Sequence, residues 1–228
     1  MNRNEIETFI RDIEPFALLP ARAQTELAEG VHQNKFDTKE LIFLEQTDGA
    51  TGYLIVQGRV ALLKSSPSGK ELIVELLGAK ELFGVLVLLD TETYPLTARA
   101  QCPTEVLCFT RPLIQSLIKR YPELYSGFTS LLRRRLHSSH NLSRALAHDR
   151  VEVRVASVLT TLGARAEEPG RIYLGRQELA DLCGITIETA SRVMKSFEKD
   201  EAVSLSEVGV VKLLDLSLLE RVAELGSV

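Results

Sequence analysis

The sequence predicts an α+β protein: an N-terminal antiparallel β-roll, a long connecting helix and a C-terminal winged helix-turn-helix. Three stretches carry that reading. From about Phe36 onward, short apolar or alternating runs such as "GYLIVQGRVALLKSS" and "KELIVELLG" are punctuated by glycines and turn clusters. Pro122 then opens a long stretch without another proline, "PELYSGFTSLLRRRLHSSHNLSRALAHD". Finally, "RQELADLCGITIETASRVMKSFE" places two helical patterns on either side of Gly184.

Two amphipathic helical patterns, "IETFIRDI" and "PARAQTELAEGV", precede the roll. The roll's runs, "ELIFLEQ", "GYLIVQGRVALLKSS", "KELIVELLG" and "VLCFTR", are rich in Val, Ile, Leu, Phe and Tyr. Turn signals at "TDGATG", Gly58, "SPSGK", Gly78, Gly84 and "DTETYP" separate them, the pattern of many short antiparallel strands. "SPSG" suits a hairpin turn. Pro112 fits the first turn of a helix over "PLIQSLIKRY".

On the long helix Phe128, Leu132, Leu136, Leu142 and Leu146 form a narrow apolar stripe, interrupted by Ser138 and Ser139. Such a stripe serves the seam of a dimer, or equally a core helix of the same chain. Asp149 is placed to cap the next helix, "VEVRVASVLTTLGARA". The expected organisation is therefore a roll over residues 1–120, the long helix over 121–148 and a winged domain over 149–228. A strand pair, "AVSLSEVGVVKLLDL", and a last helix, "LSLLERVAEL", complete that domain.

Within the helix-turn-helix, Ala180 is small where the helices approach, and Gly184 suits a left-handed turn. Ile185 and Val193 fill the space between the helices, and Thr186 caps the second one. That helix buries Ala190, Val193, Met194 and Phe197 and presents Glu188, Ser191, Arg192 and Lys195. In a major groove its first residues meet base edges. Arg192 can fork onto guanine, Glu188 can accept from a cytosine amino group, and Ser191 can touch a base or a methyl. Thr186 and Thr189 can bond phosphates, and Arg176, Arg192 and Lys195 are candidates for a positive face. From Arg150 to the end stand ten Lys/Arg against thirteen Asp/Glu, so any DNA-binding face must concentrate its cations. The competing reading is a winged domain that packs against another protein.

The net charge of −4 excludes a protein coated in basic residues. No apolar run reaches the roughly 18 residues of a membrane span, and the first residues lack the apolar segment of a signal peptide. A cytoplasmic protein is expected. Three cysteines, Cys102, Cys108 and Cys183, give no even framework and no metal-type spacing. No metal site is expected. Nor is there an HExxH, GxxxxGK[ST] or GxSxG motif, and "SGKE" is a turn, so an enzyme is not expected.

Along essentially its whole length the chain resembles the CRP/FNR family of bacterial transcription regulators. The roll "YLIVQGRVALLKSSPSGKELIVELLGAKELFG", the long helix and "RQELADLCGITIETASRVMKSFE" carry the resemblance, with glycines 58, 69, 78 and 84 where the family's roll turns. It implies a cyclic-nucleotide-binding-like roll, a homodimer paired through the long helix, double-stranded DNA as ligand and RNA polymerase as a further partner. The Glu188-x-x-Ser191-Arg192 spacing is similar to the FNR branch, whereas the cyclic-AMP receptor branch has Arg where this chain has Ile187. It implies an inverted repeat of TTGA-type half-sites.

The sensor half departs from both branches. Val85 stands where cyclic-AMP binders carry Glu, and Tyr94-Pro95 where they carry Arg-Ser. An anionic phosphate needs a cation or N–H donors, which argues against cyclic AMP. With no cysteine before Cys102, an iron–sulfur cluster is also disfavoured. Phe83, Gly84, Val85, Leu86, Tyr94, Pro95 and Leu96, with Ser139 and His140, could form an effector pocket. Haem is one possible occupant, with His32, His137, His140 or His148 as ligand; no effector at all is another outcome. The rival from a different class is a dimeric interaction module with a vestigial DNA-binding fold.

Overall fold

Two helices, α1 (Arg3–Ile10) and α2 (Ala21–Gly30), lead into five strands: β1 (His32–Phe36), β2 (Leu41–Phe43), β3 (Thr51–Gln57), β4 (Val60–Ser65) and β5 (Glu71–Leu77). Then come β6 (Leu82–Phe83), α3 (Leu86–Leu89), β7 (Thr97–Ala100), β8 (Thr104–Thr110), α4 (Arg111–Arg120) and the 26-residue α5 (Glu123–His148). The remainder is α6 (Val151–Ala164), β9 (Arg171–Tyr173), α7 (Arg176–Cys183), α8 (Ile187–Lys199), β10 (Val203–Ser204), β11 (Val210–Leu213) and α9 (Leu216–Glu224). The computed structural model describes residues 1–166 and 168–224. It divides into two compact units, Met1–Lys64 with Glu75–Ser138, and Ser65–Val74 with Ser139–Val228. The long helix is thus shared between them, its first part in one unit and its last turns in the other.

The first eight strands form two antiparallel sheets, ordered β1-β8-β3-β6 and β2-β7-β4-β5. Alternation along the central strands sends side chains to two different cores. Ile55 and Val106 join Val60, Leu62, Leu77, Phe83 and Ala98 between the sheets. Leu54, Leu107 and Phe109 point the other way, into a core built with α1, α2, α4 and the start of α5. Phe16 anchors that layer, its ring 4.8 Å from Phe109 and 6.0 Å, edge-on, from Phe128. The "SPSG" turn joins β4 to β5, with Gly69 at φ +78° and its N–H donating to Ser66 O at 2.9 Å. Arg135 lies along Glu75, its Nε 3.2 Å from Oε2, and also donates to the Leu82 carbonyl, so α5 is tied to β5 and β6.

Three strands differ from the sequence reading by being present at all. β1, "HQNKF", is polar and exposed, and its backbone pairs only with β8. β7, "TARA", carries its alternation on alanines, and β9, "RIY", is three residues long. Asp149 is not the cap of α6: Arg150 holds that position without a side-chain bond, while the Asp149 carboxylate faces Arg144 at 3.3 Å. The second unit packs α6, α7, α8 and α9 around Leu159, Leu179, Met194, Phe197 and Leu219. The three-stranded sheet β10-β11-β9 forms its wing.

Candidate nucleic-acid interface

The helix-turn-helix is built by local chemistry. The Gly175 N–H donates to the Glu178 carboxylate at 3.2 Å, fixing the start of α7. Gly184 ends it in the left-handed region, φ +60° and ψ +43°, where its N–H donates back to Ala180 O. A Cβ at Gly184 would lie 2.9 Å from a Leu146 methyl, which would have to give way, and the positive φ strains any other residue there. Thr186 caps α8: its hydroxyl accepts from the Thr189 N–H at 3.3 Å and lies 3.2 Å from the Thr189 hydroxyl. Ala190, Val193, Met194 and Phe197 are buried as the spacing predicts, with Ala180 and Cys183 of α7 in the same core.

The opposite face of α8 presents Glu188, Arg192 and Lys195 to solvent, with Ser191 and Thr189 half-buried at its edge. Lys199, which the sequence reading leaves out, belongs to the same face: it follows Arg192 by seven residues and Lys195 by four, and it is exposed. That spacing alone could have found it. Among the described residues, none of Arg176, Arg192, Lys195 and Lys199 makes an ion pair. Arg144 and Arg171 of the same unit do, with Asp149 and with Glu168 and Glu207. Arg192, Lys195 and Lys199 thus line one side of one helix without a carboxylate partner among the described residues. Glu188 is held below the usual carboxylate range by its own backbone N–H and by the Thr186 hydroxyl, so it is an anionic acceptor.

Of the residues proposed for an effector pocket, Phe83 and Tyr94 meet in a cluster of rings with Phe43 and Tyr53, and the others are dispersed. The Tyr94 ring stacks on Phe43 with centroids 3.7 Å apart and planes 9° from parallel; Tyr53 stacks on Phe83 at 4.9 Å. Phe43 is also 5.7 Å from Tyr53, so the four rings form one assembly between the sheets. Tyr94 Oη donates to Thr51 O at 2.8 Å, and a Cβ on Gly49 would collide with its ring. Arg111 braces the loop below, donating to Gly49 O at 2.7 Å and to the Thr91 and Val87 carbonyls. Val85 is buried in the neighbouring helical core. Pro95 is exposed, and Ser139 and His140 belong to the other unit. His32, His137, His140 and His148 are all exposed, and none is among the side chains of the inter-sheet core. A haem would have to displace the ring stack and would find no imidazole beside it, so the residues present do not fit that group.

Comparison with known proteins agrees with this architecture. Residues 33–121 match the cyclic nucleotide-binding domain model and residues 153–222 the Crp-like helix-turn-helix domain model. The Cyclic AMP receptor protein of Thermus thermophilus is 33% identical over 182 residues, covering 80% of this chain and 83% of its own. The chain belongs to the CRP/FNR family of transcription regulators. A second relative of this regulator, the Transcriptional activator protein anr of Pseudomonas aeruginosa, is 26% identical over 79% of the chain and 77% of its own length. FixK2 from Bradyrhizobium japonicum has the same fold, with a TM-score of 0.79 at 20% identity over 84% of this chain and 96% of that one. The family is one of regulators rather than enzymes. Among the described residues no helix is long and apolar enough to cross a membrane.

The apolar stripe of this CRP/FNR regulator's long helix divides among three environments. Phe128 is fully buried in the first unit's own core and so is not free for a seam, and Leu132 packs, partly buried, on the same core. Leu146 lies against the Gly184 turn. Leu142 is half-buried, and Leu136 is 57% exposed.

Proposed function

We propose that this chain acts as a homodimer that reads a palindrome of TTGA-type half-sites, one recognition helix per half-site, without a small ligand in its roll. The observation that carries the reading is the uncommitted basic face of α8. On a domain with more acidic than basic residues, Arg192, Lys195 and Lys199 align on one side of one helix with no carboxylate partner among the described residues. Arg192 forks onto guanine, Glu188 accepts from a cytosine amino group, and Ser191 lies beside them. Lys195, Lys199 and Arg176 meet phosphates. Exposed Leu136 supports pairing of α5 with its mate, and two-fold symmetry sets the half-sites about one helical turn apart. Contact with RNA polymerase follows for a regulator of this family.

The ring stack favours the effector-free reading over haem or cyclic-nucleotide control. Gel shifts of the ligand-free protein on a TTGA palindrome and on a scrambled duplex, across a salt series, test both parts. Specific binding predicts a preference for the palindrome of about a thousandfold or more at physiological salt. Equal retention of the two duplexes, fading together as salt rises, would instead identify an interaction module with a vestigial DNA-binding fold. A preference that arises only on adding haemin or a cyclic nucleotide would restore a ligand to the roll.

A further inference from the structure

The exposed side of α5 gathers a kind of side chain that the roles above leave unused. Three of the chain's four histidines, His137, His140 and His148, lie on this helix, and between Glu123 and Asp149 it carries no Asp or Glu. Arg133, His137, His140, Arg144 and His148 follow one another in steps of four, three, four and four residues, so the five share one side of the helix. All five are exposed. The carboxylates that reach α5 each take an arginine: Glu14 faces Arg134 at 3.1 Å, Glu75 faces Arg135 at 3.2 Å and Asp149 faces Arg144 at 3.3 Å. From α6, Arg154 adds a further cation, donating to the Leu146 and Asp149 carbonyls. Pro15 and Leu18 meet the helix at Gly127, and Gly184 meets it at Leu146, without charge. Among the described residues neither Arg133 nor any of the three histidines makes an ion pair. Leu136 borders the line, three residues after Arg133 and four before His140.

Resting on the reading of α5 as the helix that pairs with its mate, we infer that this line is an acid-sensitive switch on assembly: the homodimer weakens as the histidines take up protons. Imidazole is the side chain that ordinarily changes charge between pH 5 and 8. A parallel pair meeting at Leu136 is flanked by Arg133 and His140 of one protomer and by their counterparts on its mate. Near pH 8 each line carries its two arginines, one of them faced by Asp149, and three protonated imidazoles more than double that charge. Repulsion across the pair then opposes protonation. Two separate chains therefore bind more protons than the dimer, and falling pH drives them apart. The net charge works the other way: it is −4 at pH 7 and vanishes near pH 5.7, so acidification by itself lowers the repulsion between whole chains. A dimer that weakens along that path reports local charge. Since two half-sites need two joined chains, the same shift loosens the grip on the palindrome.

The test measures the dimer dissociation constant of the full-length protein by sedimentation velocity at about pH 8 and about pH 6, on either side of the ordinary imidazole range. At about 10 mM ionic strength, where charges act over about 30 Å, the constant should rise about fivefold or more on acidification. At about 0.5 M salt the rise should shrink to within about twofold. The triple variant His137→Gln, His140→Gln, His148→Gln should give one constant at both pH values, that of the unmodified protein near pH 8. Glutamine is neutral and a better helix former than histidine, so the exposed helix tolerates it. At low ionic strength, a dimer equally tight or tighter near pH 6 overturns this inference alone. So does a rise that persists undiminished in the triple variant or in high salt, as a general loosening of the fold would. A protein that sediments as a monomer at both pH values overturns the homodimer reading and this inference together.

Discussion

On α8, read as the recognition helix, residues that look alike as cations are expected to do different work according to where they stand. Arg192, near the start, has a planar fork that matches guanine's two acceptors, whereas Lys199, in the last turn, presents a single mobile charge. Arg192→Ala should therefore weaken binding to the palindrome by about 1–3 kcal/mol and relax discrimination at one base pair per half-site. Lys199→Ala should weaken binding to all duplexes alike and lower the salt dependence by about one counterion per protomer. A competition series over single-base variants separates the two outcomes. Much of this was legible in the sequence, because caps and faces are local properties. Gly184 and Thr186 are identifiable from the chain alone since their conformations follow from their own chemistry. Thr189 was less legible: its spacing suits a phosphate contact, yet its N–H and hydroxyl are both turned to the Thr186 cap.

At the level of elements, α5 shows what periodicity can and cannot say. A narrow apolar stripe establishes that a helix has a partner along that line, and it is silent about which partner. Here the line is handed from the roll's helical layer at Phe128 and Leu132 to the Gly184 turn at Leu146. Substitutions along it should separate accordingly. Phe128→Ala removes a wholly buried ring that meets Phe16 edge-on, and should cost the first unit about 3–5 kcal/mol in denaturant unfolding. Leu136→Asp changes a position exposed in the single chain, so on the proposed dimer it should shift the sedimentation coefficient from dimer to monomer and remove the concentration dependence of the melt. The strands were legible where Val, Ile and Leu alternate, as in β3 and β4. They were hidden in β1, whose five residues are all polar or half-covered, and in β7, where alanines provide the buried face. Such strands are held by their neighbours' hydrogen bonds rather than by their own propensity.

Across the whole molecule the two units carry separate reporters. Burial raises the Cys108 thiol to about 11 in the first unit and the Cys183 thiol to about 12 in the second, the latter partly offset by the Arg154 charge. Both should resist a thiol reagent at pH 8 in the native protein and react as their own unit opens, so stopped-flow labelling times each unit independently. The sign of the pH effect follows. In the unfolded chain the Cys183 thiol ionises near 9.0, before the folded one does, so its contribution to stability is intact below that pH. It is lost as pH rises from about 9 toward about 12. The chain's overall acidity says little about its ligand; the distribution of its cations, invisible in the net charge of −4, says more.

The four-ring stack of the roll has a spectroscopic consequence. The chain contains no tryptophan and five tyrosines, and two of those five, Tyr53 and Tyr94, are immobilised against other rings between the sheets. Burial raises both phenols above the ordinary tyrosine range. Their near-ultraviolet dichroism is therefore a built-in optical label for the roll. It would be disturbed by anything that forces its way between the sheets.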